Sequence, residues 1–111
     1  MIYVDTSVVL AHLLAEDRQP PETMWSETLI SSRLLEYEVW VRLHARGLGR
    51  SHGDLAREVL GRFAYLELAP LVLAPATESF AVPVRTLDAL HLASIEFLRA
   101  RSQAVLLATY D

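Results

Sequence analysis

The sequence predicts an α/β fold in one domain, with helices flanking a mostly parallel central sheet. Three observations lead there. Short β-prone runs, Ile2-Tyr3-Val4, Leu29-Ile30 and residues 104–108, are separated by longer segments with helical spacing of their apolar residues. Residues 104–108 (Ala-Val-Leu-Leu-Ala) are apolar throughout, as in strands covered on both faces of a parallel sheet. The 111 residues, 52% of them hydrophobic, suffice for one core but not comfortably for two.

Taken in order, Ile2-Tyr3-Val4 reads as a strand ending at Asp5, after which Thr6 or Ser7 can cap a helix reaching about Leu14. Residues 17–22, with Pro20-Pro21, form a loop, and residues 29–32 a second short strand. Residues 33–46 read as a helix. Leu35, Val39 and Leu43 share one stripe, Glu36, Trp40 and Leu43 the next, and Gly47 supplies the stop. Another helix is expected from Ser51 to about Leu66, with Leu55, Val59, Arg62 and Phe63 spaced for one face. Residues 68–73 contain Pro70 and are expected at most as an edge or bulged strand, followed by a proline-bounded connection over 74–84. Thr86 is placed to cap a helix from Leu87 to about Arg101, and residues 104–108 return as the buried strand. No segment repeats or is of low complexity.

Composition narrows the function. Cysteine is absent, which excludes disulfides, thiol catalysis and thiolate metal sites. No run is long enough to cross a membrane, and the N-terminus lacks the basic start of a secretory signal, so a cytoplasmic location is expected. All ten basic residues are arginines. The net charge of −4 is uneven. Residues 1–41 hold seven acids against two arginines; residues 42–62 hold five arginines against two acids. Such a chain is a poor general nucleic-acid binder but can grip a phosphate backbone locally. Taken alone, the basic segment also fits two solvated helix faces.

Four carboxylates stand out. Asp5 and Asp111 follow directly on apolar strands, and ligands of open parallel sheets bind beyond the carboxyl ends of the strands. Asp88 shares a helix stripe with His91, Leu92 and Ile95, and Glu36 shares one with Trp40 and Leu43, so both are expected on buried faces near the same edge. Singly, each has a structural explanation: Asp88 and Glu36 suit a first helical turn, and Asp5 a cap. Clustered carboxylates repel one another and lose hydration, so four together call for a cation. An all-oxygen ligand set suits Mg²⁺ or Mn²⁺ rather than zinc. Such an ion activates water and stabilises charge developing on a phosphodiester. His91 is expected as a packed, hydrogen-bonded helix residue, and Glu38, two residues from Glu36, as exposed or paired with Arg42.

The same residues resemble the PIN domain, most closely the VapC-type toxins of bacterial toxin–antitoxin pairs. Met1-Ile2-Tyr3-Val4-Asp5-Thr6-Ser7 is similar to that family's first strand and first metal-binding acid, and Ser32-Arg33-Leu34-Leu35-Glu36 to its second acidic segment. Arg85-Thr86-Leu87-Asp88-Ala89-Leu90-His91-Leu92-Ala93 resembles its most recognisable stretch, with Asp88 as the third acid. Leu106-Leu107-Ala108-Thr109-Tyr110-Asp111 resembles the strand that delivers the fourth. The resemblance covers residues 1–111 as a single domain. It implies an Mg²⁺- or Mn²⁺-dependent endoribonuclease selective for single-stranded RNA, which dimerises and is silenced by a protein antitoxin. Asp5, Glu36, Asp88 and Asp111 would be the catalytic metal ligands, with Ser7 and Thr109 as supporting hydroxyls. From the charge pattern, arginines of the 42–62 segment such as Arg42 and Arg46, together with Arg85, are candidate contacts to RNA. An antitoxin segment is expected over the helices and in an acidic pocket; Trp25 and Trp40 are compatible with bordering it but are read first as core residues. Family members usually continue through a further helix and strand, whereas this sequence stops at Asp111, so a C-terminally short domain with uncovered sheet surface is expected. The rival reading is a catalytically silent module whose acidic pocket binds a basic partner peptide. A receiver-like domain phosphorylated at Asp5 fits less well, since receivers keep a lysine near the site and this chain has none.

Overall fold

A computed structural model describes residues 1–101 and 104–110. Its centre is a sheet of β1 (Ile2–Val4), β2 (Leu29–Ser32), β3 (Ala64–Leu66) and β4 (Leu106–Ala108), in the order β3-β2-β1-β4. Every pair is parallel. Tyr3 lies opposite both Ile30 and Leu107, and Ser31 opposite Tyr65. The alternation of a strand sends neighbouring residues to opposite faces. Val4 and Leu29 accordingly join one core, packed with Val8, Val9, Leu35, Val39, Leu43, Val59 and Phe63 from helices α1 (Thr6–Leu13), α2 (Leu34–Ala45) and α3 (Gly49–Leu60) and the turn that follows. Tyr3 and Ile30 face the other way, onto Ile95 and Leu98 of α5 (Thr86–Ala100).

The chain winds from β1 through β2 to β3 along one direction of the sheet, then crosses back to place β4 on the far side of β1. The order therefore reverses between β1 and β4, and the crevice at such a reversal is where open α/β sheets bind ligands. Asp5 leaves β1 at that crevice.

Five expectations change. The third helix ends at Leu60 rather than Leu66, because Gly61 and Arg62 turn the chain and residues 64–66 pair with β2. Sheet pairing there outweighs the helical spacing of the side chains. Residues 68–73 form no strand. Pro70 opens the short helix α4 (Pro70–Leu73), where its missing N–H costs nothing, and Ala69 is extended as a residue before proline prefers. The caps of α1 and α5 fall one residue early, at Asp5 and Arg85, and neither side chain makes the capping bond. The β4 run is not buried on both faces. Among the described strands it pairs on one side only, with β1, and Leu106 and Leu107 are exposed. No helix among the described residues is long and apolar enough to cross a membrane.

Candidate metal centre and its cleft

Asp5 sits where β1 gives way to α1, buried to 8% exposure. Its amide donates to the Ala108 carbonyl at 2.9 Å, which ties the end of β1 to β4. Its Oδ2 accepts from the Ser7 hydroxyl at 2.8 Å and the Thr109 hydroxyl at 3.1 Å, and Ser7 Oγ in turn accepts the Tyr110 N–H at 3.0 Å. The carboxylate makes no helix-capping bond, so the capping role open to it in the sequence is not the one it plays.

Glu38, in the second turn of α2, reaches the same floor. Its Oε1 accepts from Thr6 Oγ1 at 2.8 Å and lies 2.6 Å from His91 Nε2. His91 is buried, stands 3.8 Å from Asp5 Oδ1 through the same nitrogen, and meets the Tyr3 hydroxyl at Nδ1 at 2.7 Å. Two carboxylates sharing one imidazole nitrogen repel each other, and hydroxyl donors offset that only in part. Burial pushes the Tyr3 phenol up to about 12, against its hydrogen bonds with Ser94, Ser31 and the Ser32 amide, and the charge of Asp5 adds to the rise.

Above the floor opens a cleft of about 590 Å³ whose lining carries both signs of charge. Asp5, Glu16, Glu38 and Asp88 bring carboxylates; Arg18, Arg42, Arg46 and Arg85 bring guanidinium groups. Arg42 follows Glu38 by one turn of α2, and Arg46 caps the same helix a further four residues on.

A PIN-domain family model matches residues 2–111. The chain belongs to the PIN-domain family. No curated protein matches it. Among solved structures, this PIN domain is similar to the crystal structure of Mycobacterium tuberculosis VapC20, described as a toxin that cleaves the sarcin–ricin loop. The TM-score is 0.71 at 19% identity, covering 100% of this chain and 92% of that one. At that identity the likeness establishes the shared fold.

Within this PIN domain, Asp5, Ser7, Asp88, Arg42, Arg46 and Arg85 all reach the cleft, and Thr109 bonds to Asp5. Asp88 is exposed on the cleft wall, not on a buried face as its helix stripe suggests. Asp111 lies outside the described residues. Glu36 is not on the cleft: it pairs with Arg33 at 2.9 Å, and Arg33 pairs with Glu67 at 2.8 Å. The acids hold the Arg33 guanidinium firmly charged, and burial and the Glu36 charge push the neighbouring Tyr65 phenol up to about 12. Glu38, expected at the surface or beside Arg42, takes the inward place. The buried stripe Leu35-Val39-Leu43 runs between the two acids, which flank it on opposite sides at about 100° per residue. Helical period cannot say which flank faces β1; the direction of the crossover does. Sequence reasoning missed Glu38; the signal that could have found it is its place on the other flank of the same buried stripe, beside Leu35 of the first turn. Trp25 and Trp40 pack against the core and do not line this cleft.

Among the described residues no three His, Asp or Glu side chains are gathered tightly enough to hold a metal ion. The donors that face the cleft are nonetheless carboxylate oxygens, two of them crowded around His91 Nε2, and that chemistry fits a hard divalent cation. Asp5, Glu38 and Asp88 are the residues that would hold it.

Proposed function

We propose that this PIN domain is an Mg²⁺- or Mn²⁺-dependent endoribonuclease, the toxin of a type II toxin–antitoxin pair, acting on single-stranded regions of RNA. The observation that carries the reading is the cleft at the β1/β4 reversal, which is lined by carboxylates and arginines together. Asp5, Glu38 and Asp88 would hold the cation, and the family pattern in the sequence assigns Asp111 to the same set. Bound there, a divalent ion acidifies water and offsets charge on a phosphodiester. Ser7 and Thr109 donate to Asp5 Oδ2 and so hold that carboxylate in place beside the cleft. Arg42, Arg46 and Arg85 line the walls where an RNA backbone would run, whereas Arg57 and Arg62 are paired with Asp54 and Glu58 and take no part. Family membership and the description of VapC20 as a toxin support the assignment. A protein antitoxin, a homodimer and a cytoplasmic site of action belong to the same reading.

The test is cleavage of a fluorescent RNA panel in Mg²⁺ or Mn²⁺ by the wild-type chain, Asp88→Ala and an EDTA-treated sample. Cleavage by the wild type alone supports the nuclease. A folded wild type that binds a basic peptide tightly and cleaves nothing at high concentration refutes it in favour of the silent interaction module.

A further inference from the structure

The cleft floor contains a buried imidazole for which the proposed reaction has no use. His91 links four elements: β1 through Tyr3, α1 through Thr6, α2 through Glu38, and its own helix α5. The direction of its hydrogen bonds follows from the donors. The Ser32 amide can only donate, and it donates to Tyr3 Oη at 3.2 Å. The phenolic proton is then available for His91 Nδ1 at 2.7 Å. A neutral imidazole that accepts at Nδ1 carries its own proton at Nε2. Glu38 Oε1 lies 2.6 Å from that nitrogen.

A polar chain thus runs from the β2 amide through the β1 phenol and the α5 imidazole to the α2 carboxylate. Among the described residues it leaves no buried side-chain nitrogen or oxygen unsatisfied. A leucine or phenylalanine would serve packing as well at a site that is 5% exposed. What an apolar residue cannot do is orient Glu38, whose flexible side chain otherwise loses rotamer freedom whenever it enters a fixed geometry.

We propose that His91 is a positioning residue, which together with Tyr3 and the Ser32 amide holds the Glu38 carboxylate in place on the cleft floor. The role rests on the metal-nuclease reading above. Partners that orient ligating side chains in this way typically change metal affinity about 10–100-fold when removed.

The experiment is Mn²⁺ titration of the full chain by electron paramagnetic resonance, beside nitrogen-15 spectra of the His91 ring. The wild type should show a His91 ring protonated at Nε2, and Tyr3→Phe should erode that preference. His91→Leu should weaken Mn²⁺ binding about tenfold or more. His91→Gln, whose amide can place an N–H near the former Nε2, should recover most of it. If His91→Leu does not fold, Tyr3→Phe carries the test, since it removes one oxygen and keeps the ring. A folded His91→Leu or Tyr3→Phe chain with wild-type affinity overturns the positioning role and leaves the metal reading standing. A wild-type chain that binds no Mn²⁺ overturns the metal reading and the positioning role together.

Discussion

Exchanging one carboxylate oxygen for an amide at Glu36 or at Glu38 should have opposite consequences, although the residues are two apart on one helix. Glu36 is one partner of a half-exposed ion pair, and Arg33 keeps Glu67 when Glu36 is neutralised. Pairs of that kind contribute ~0.2–1 kcal/mol. Glu36→Gln should therefore cost a few tenths of a kcal/mol, about the lower end of that range, and leave RNA cleavage unchanged. Glu38 accepts from His91 and Thr6 on the cleft floor. Glu38→Gln keeps the shape and an accepting oxygen, so the stability cost is the difference between charged and neutral hydrogen bonds, about 1 kcal/mol. Its effect on cleavage should be much larger, because the lost charge is the one offered to a cation. A hundredfold fall in rate corresponds to about 2.7 kcal/mol of barrier. The assay is initial-rate cleavage of fluorescent RNA at saturating Mn²⁺, with urea denaturation of each variant to separate folding from activity. Full activity in Glu38→Gln, or a hundredfold loss in Glu36→Gln, would refute the geometric assignment and return the role to Glu36.

Ser7→Ala with Thr109→Val should strip two donors from Asp5 Oδ2 and raise the Mn²⁺ concentration needed for half-maximal cleavage; an unchanged requirement would mean the hydroxyls serve the β1–β4 junction alone. Arg42→Ala and Arg46→Ala should weaken RNA binding across sequences and each lower the dependence of log affinity on log salt by about 0.7, read by fluorescence anisotropy at several salt concentrations. The Tyr3 phenol, raised to about 12 from an ordinary 10, is protonated in the folded chain where the unfolded chain has already released its proton. Its contribution is thus complete below pH 10 and lost as pH climbs toward 12, an effect on the order of 2–3 kcal/mol. Denaturation curves between pH 9 and 12 should show that decline flattened in Tyr3→Phe, and an equal slope in both chains would count against it. Finally, Leu43→Ala should cost ~2–5 kcal/mol from a fully buried site, while Leu106→Ser at the exposed sheet edge should change stability by less than about 0.5 kcal/mol, both by urea denaturation.

Much of this was determined by the sequence alone. Residues 2–4, 29–32 and 106–108 are strands, and the helices after the first two strands and before the last follow from apolar period and stop signals, because those patterns act within a few residues of themselves. Asp5 and Asp88 were marked for the cleft by the same local logic, one ending a strand and the other opening a helix. Tertiary structure decided the rest. Residues 64–66 became a strand only because β2 offered an edge to pair with, and the apolar run of β4 stayed exposed because it took the outer place in the sheet. The choice between Glu36 and Glu38 belongs there too. Both flank one buried stripe, and only the winding of the chain turns one flank toward β1 and Asp5 and the other toward β3 and Arg33. Helical period records an angle around an axis, and it carries no information about which neighbour lies on either side.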